Sequence, residues 1–78
     1  MSTFEIITTS IRVRLAMLNK TQTWLASELG RTKAWLSDRM NGRVGMDTED
    51  IDAIASGLGI TPASLYSGEL IPEIRAAA

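Results

Sequence analysis

The sequence predicts an all-α fold, a compact bundle of five short helices. Three observations carry that expectation. Between the breaks at Asn19, Gly30, Gly42, Gly45, Gly59 and Gly68, apolar residues recur every three or four positions. No stretch alternates apolar and polar residues with β-branched enrichment, apart from the brief ITTSI, which lies inside a helical pattern. Each segment also opens on a residue whose side chain caps helices well.

Helix 1 is expected from about Thr3 to Leu18. Ser2 and Glu5 have the S-x-x-E spacing of a capping box. Phe4, Ile7, Ile11, Leu15 and Leu18 form one apolar stripe. Helix 2 runs from about Gln22 to Leu29, with Thr21 as N-cap and Gly30 just past its end. Helix 3 follows the N-cap Thr32 and reaches about Met40, where Asn41-Gly42 stops it. Helix 4 starts at Asp47. Asp47, Glu49 and Asp50 put negative charge at the positive end of its dipole. Its apolar face is Ile51, Ile54, Ala55 and Leu58, and Gly59 ends it. Thr61-Pro62 opens a last short helix that carries Leu65 and stops near Gly68. Residues 1–68 make the domain. Residues 69–78 are a C-terminal tail that either frays or adds one helical turn, and that could serve as a dimer contact.

Bulk composition narrows the function. A chain of 78 residues is one small domain with little spare material for an enclosed active site. With 45% hydrophobic and 22% charged residues it is an ordinary globular chain. Cysteine is absent, so no disulfide framework or thiolate metal site is expected. Histidine is absent too, which removes the usual general base near neutral pH and the commonest metal ligand. With no glycine-rich phosphate loop either, the sequence speaks against an enzyme and implies no cofactor, metal or small-molecule ligand. D-T-E-D at 47–50 lacks the spacing and glycine of a calcium loop. The longest apolar runs fall far short of the roughly 20 residues a membrane span needs. MSTFEIITTS lacks the basic-then-apolar pattern of a secretory signal, so a cytoplasmic location is expected. Arg75-Ala-Ala-Ala reads as a ragged end, as of a chain cut from something longer.

The net charge of −1 hides an asymmetry. Residues 1–45 hold seven Lys/Arg against three Asp/Glu, a balance of +4, and residues 46–78 hold one against six, a balance of −5. One half can face an anion while the other is turned away.

The second and third helices carry the function. They are joined by a short turn centred on Gly30-Arg31. Ala26, four residues before Gly30, lets two helices cross closely, and Gly30 can adopt the left-handed conformation of a sharp turn. Leu36, six residues after Gly30, should point inward and lock helix 3 on the core. This spacing is a helix-turn-helix signature, whose second helix is exposed for the major groove.

Thr21 to Gly30 (T-Q-x-x-L-A-x-x-L-G), Thr32 to Ser37 (T-x-x-x-L-S), Asn41-Gly42, and Ile51 to Thr61 (I-x-x-I-A-x-x-L-G-I-T) with Leu65 together resemble the lambda-repressor-like, or Cro/C1-type (XRE-family), helix-turn-helix domain. The match spans about residues 11–68. A-W-L-S-D-R-M-N-G-R also looks like the immunity-repressor domains of actinobacterial phages. The resemblance implies a transcriptional repressor, phage or bacterial, that binds double-stranded DNA as pseudo-palindromic half-sites, with weak dimers formed through Leu65 to Ile74 or on DNA alone. It implies that Lys33, Ala34, Asp38 and, as an assistant, Ser37 meet base edges, and that Gln22, Thr32, Trp35, Asn41 and Arg43 meet the backbone. Side-chain chemistry agrees in part. Lys33 can donate to guanine, Ala34 can touch a thymine methyl and Asp38 can accept from cytosine, while Arg31 and Arg43 can fix register on phosphates. Roughly four phosphate contacts per protomer imply a salt slope of about −3.5.

Three features depart from the family pattern. Met40 stands where an acidic residue is usual before Asn-Gly, Arg39 stands where an apolar one is usual, and Trp24 and Trp35 occupy commonly polar positions. Trp35 could pack on sugar and phosphate, touch a thymine methyl, or pair with Trp24. Trp24 reads equally as core edge or protein contact. Arg39 is expected to pair with Glu28 or Asp38, Arg12 and Arg14 to be solvated or ion-paired, and Met17, Met40 and Met46 to fill gaps in the core. A second function class therefore stands beside DNA binding: a helical protein-interaction module, antitoxin-like or anti-repressor, that uses Trp24, Trp35 and the methionines.

Overall fold

A computed structural model describes residues 1–77. Its elements are α1 (Thr3–Leu18), α2 (Gln22–Glu28), α3 (Lys33–Met40), α4 (Thr48–Leu58), α5 (Pro62–Ser67) and α6 (Pro72–Ala77). No strand occurs among the described residues. The caps lie where the sequence puts them. The Ser2 hydroxyl accepts from the Glu5 amide at 3.1 Å, while the Glu5 carboxylate accepts from the Ser2 amide at 3.3 Å. Asp47 and Asp50 form the same reciprocal box at α4 (2.8 and 3.3 Å). Asp47 is thus the N-cap, and the helix begins one residue later. Thr21, Thr32 and Thr61 each accept an amide three residues ahead.

One apolar core joins the helices. Ile7, Ile11 and Leu15 of α1 meet Leu25 and Ala26 of α2, Leu36 and Met40 of α3, Ile51, Ile54, Ala55 and Leu58 of α4, and Leu65 of α5, all buried. Burial of this set supplies the main favourable term in folding. α1 lies against α5 and α4, and α2 lies against α3 and α4. α4 crosses α2 closely at Gly57, where a Cβ would stand 3.0 Å from a Leu29 methyl and 3.1 Å from a Leu25 methyl.

Several expectations change in the fold. A sixth helix, α6, takes up the tail. Ile71 is buried ahead of it, and Gly68, with φ +71°, leaves room for Ile74 and Ile6, whose carbons lie 2.8 and 3.1 Å from where a Cβ would stand. Leu65 and Ile71 are therefore buried in the interior of the single chain. Phe4 is not core: α1 overruns the core edge there, and the 42%-exposed ring rests on Gly42, 3.4 Å from where that glycine's Cβ would be. Met17 is 61% exposed and fills no gap, whereas Met40 is buried and Met46 packs on the core edge. Arg14 donates from Nε to the Leu58 carbonyl at 2.9 Å, which caps the negative end of α4 with a cation.

Candidate nucleic-acid interface

The turn between α2 and α3 aims the whole site. After Glu28, Gly30 takes φ +67°. Its amide donates to the Ser27 carbonyl at 3.0 Å, and the Arg31 amide donates to the Ala26 carbonyl at 2.9 Å. These two bonds are a Schellman arrangement, and they end α2 sharply. One residue later the Thr32 hydroxyl accepts the Trp35 amide at 3.0 Å and starts α3. Only three residues separate the end of α2's cap from the next helix, so α3 has little freedom to swing. Leu36 and Met40, both buried, fix its rotation.

That rotation sorts the side chains. At 100° per residue, Lys33, Ser37, Asn41, Ala34 and Asp38 fall within an arc of about 140° that begins beside Met40 and ends nearly opposite Leu36. Lys33, Ala34 and Asn41 are exposed, and Ser37 and Asp38 are half-buried. The four positions expected to read bases thus share one face, joined by Asn41. Thr32 is spent on its cap but remains exposed, and Gln22 is half-buried in the first turn of α2.

Polar bonding along this face is uneven. Asn41 Nδ2 donates to Ser37 Oγ at 3.2 Å. Arg43 Nη1 meets Asp38 Oδ1 at 3.4 Å in an exposed ion pair, and the Arg43 and Val44 amides both donate to the Asp38 carbonyl. By contrast, neither Arg31 nor Lys33 has a carboxylate partner among the described residues.

Trp35 and Arg39 occupy the flank of α3 beside this arc. Arg39 pairs with neither Glu28 nor Asp38. Its Nε lies 3.0 Å from Asp50 Oδ2 on α4, and its Nη1 donates to the Trp35 carbonyl at 3.1 Å. Its guanidinium also lies 4.0 Å from the centre of the Trp35 ring. The Arg31 guanidinium lies 5.1 Å from the same centre. Trp24 has a cation of its own, with Lys20 Nζ at 5.4 Å. Both tryptophans are half-buried against the core. Sequence reading missed these arrangements because Arg39 and Asp50 are eleven residues apart on different helices, beyond the reach of any local spacing rule.

A family model described as "Helix-turn-helix domain" matches residues 11–65, well over half of the chain. The protein belongs to the helix-turn-helix family. Comparison with curated proteins and with solved structures returns no match. In this helix-turn-helix domain α2 and α3 are the paired helices, and the match runs on through α4 to Leu65 of α5. No helix among the described residues is long and apolar enough to cross a membrane, and no group of His, Cys, Asp or Glu among them could hold a metal ion.

Proposed function

We propose that this chain is a sequence-specific DNA-binding transcriptional regulator, a repressor of phage or bacterial origin, that inserts α3 in the major groove. The observation that carries the reading is the exposed arc of α3, where Lys33, Ala34, Ser37 and Asp38 lie together beside Arg31 and Arg43. A major groove admits one helix, and these side chains match its donor, acceptor and methyl pattern. Lys33 and Ala34 lie in the first turn, the end that meets base edges. Gln22, Thr32, Asn41, Arg31 and Arg43 stand at the margins, where phosphate contacts set register. The family membership and the basic first half of the chain point the same way.

Arg31 and Arg43 are the phosphate-binding cations at the ends of α3, and Arg39, paired with Asp50, is not one of them. Two cations per protomer give a salt slope near −1.8, or about −3.6 for a pair on two half-sites. Half-sites for a two-fold pair would lie about one helical turn apart.

The test is selection of DNA from a random pool, with Lys33→Ala beside it. An enriched motif that the variant loses supports the reading, and a motif with two inverted halves supports a pair. No enrichment at low salt overturns it. The second reading, a protein-interaction module, is favoured by a different surface from the one first expected. A groove of about 330 Å³ is lined by Phe4, Met46, Ile51 and Tyr66, of which Phe4 and Tyr66 are exposed, whereas Trp24 and Trp35 pack on the core. Under that reading Lys33→Ala is silent and Tyr66→Ala breaks a complex.

A further inference from the structure

We infer that Trp35 is a positioning residue for DNA binding, acting through Arg31, and that α4 holds it in place through Arg39; this rests on the DNA-binding reading above. The contacts run in series. At the start of α4, Asp50 closes the capping box by accepting the Asp47 amide on Oδ2 at 3.3 Å. The same oxygen receives Arg39 Nε at 3.0 Å. Arg39 side-chain exposure is 16% and that of Asp50 is 15%, so this pair is largely shielded from water and held more firmly than a surface pair. Arg39 then covers the Trp35 ring at 4.0 Å and bonds the Trp35 carbonyl at 3.1 Å. The ring in turn offers a π-face to Arg31 at 5.1 Å.

Arg31 is the exposed member of the series. It sits in the turn immediately ahead of Thr32, beside the end of α3 that enters the groove, and has no carboxylate partner among the described residues. An exposed arginine otherwise samples many rotamers, and docking on a phosphate costs that freedom. A guanidinium stacks flat on an indole and still leaves its N–H edge for an anion. The cation–π contact with Trp35 at 5.1 Å therefore keeps Arg31 near the ring before DNA arrives. Arg39 contributes by fixing the ring, and its charge is already matched by Asp50, so it is not itself a phosphate ligand. The large aromatic at a position that is commonly polar in the family acquires a use that requires no contact between indole and DNA.

A double-variant cycle tests this. The probe is a short mixed-sequence DNA duplex carrying a fluorophore, titrated with the full chain over a series of potassium chloride concentrations. Trp35→Leu is expected to weaken binding about two- to fivefold, the worth of an exposed cation–π contact. Trp35→Phe, which keeps a π-face, should recover most of that loss. In an Arg31→Ala background, Trp35→Leu should cost nothing further. A merely structural role would cost the same in both backgrounds, so additive losses overturn the inference. Arg31→Lys keeps the charge and leaves the core untouched, and it covers the case in which Trp35→Leu does not fold. It should weaken binding by a similar two- to fivefold, and equality with the parent chain overturns the inference. A parent salt slope near zero would sink the DNA-binding reading itself. A normal slope with additive losses sinks only the role of Trp35.

Discussion

The two ends of α3 are built differently. At its start, Arg31, Lys33 and Ala34 are exposed, and the two cations have no carboxylate partner among the described residues. At its end, Ser37 is bonded by Asn41, Asp38 is paired with Arg43, and Arg39 is held by Asp50. The first end needs only to shed water to dock on an anion. The second must exchange internal bonds for external ones, and each exchange recovers only the difference between two similar hydrogen bonds. Affinity should therefore come mainly from the start of the helix, with discrimination refined at its end.

The severest way to break this comparison is to remove the pivot that both ends share. Leu36 is 1% exposed, and Leu36→Ala should cost about 2–5 kcal/mol. A domain of this size has roughly 4–12 kcal/mol in all, so thermal melting followed by circular dichroism should show a large fall in Tm or a chain largely unfolded at room temperature. Next comes the start of α3. Lys33→Ala should leave the melting temperature nearly unchanged and cost about 1–3 kcal/mol of specific binding, measured by fluorescence anisotropy on the selected duplex. Loss of stability without loss of specificity would reverse the assignment of this end.

A site outside α3 gives a control of opposite sign. Ser10 is fully buried, and its Oγ has no hydrogen-bond partner among the described residues. Ser10→Ala should stabilise the chain by about 1 kcal/mol in a denaturant melt, because it removes an unpaid desolvation penalty, and should leave DNA binding as it was. The smallest effect belongs to the end of α3. Asp38→Asn frees Arg43 from an exposed ion pair and should change stability by less than about 0.5 kcal/mol. It also removes a negative charge from the face proposed to enter the groove, so non-specific affinity should rise about threefold while discrimination falls. A drop in non-specific affinity would show that the pair aims Arg43 rather than restraining it.

The helix plan was legible because its signals are local. Ser2 with Glu5, Thr21, Thr32, Asp47 and Thr61-Pro62 each act within three or four residues, and the chain places a cap at every one. The turn at Gly30 was legible for the same reason. What sequence did not carry was pairing between elements. The partner of Arg39 lies on α4, the acceptor of Arg14 is a carbonyl 44 residues away, and neither follows from charge spacing along one helix. Phe4 extended the apolar stripe of α1 by correct periodicity, yet no rule of periodicity says where the opposing core ends. α6 was legible only as one of two options for the tail, because its docking depends on Gly68 leaving space for Ile74. For the candidate interface, the sequence singled out Lys33, Ala34, Ser37 and Asp38; that they share one arc of α3, and that Ser37 and Asp38 are bonded to Asn41 and Arg43, came only with the structure.

Asp50 uses one oxygen both to close the cap of α4 and to hold Arg39. Heritable change there is burdened, since any substitution that loosens one task loosens the other. The exposed arc of α3 has no such double duty at Lys33 and Ala34, whose replacement disturbs neither cap nor core. If α3 reads DNA as proposed, a lineage carrying this fold acquires a new target by rewriting a few letters on the outside of one helix, while the carboxylate behind it stays bound to the history of the scaffold.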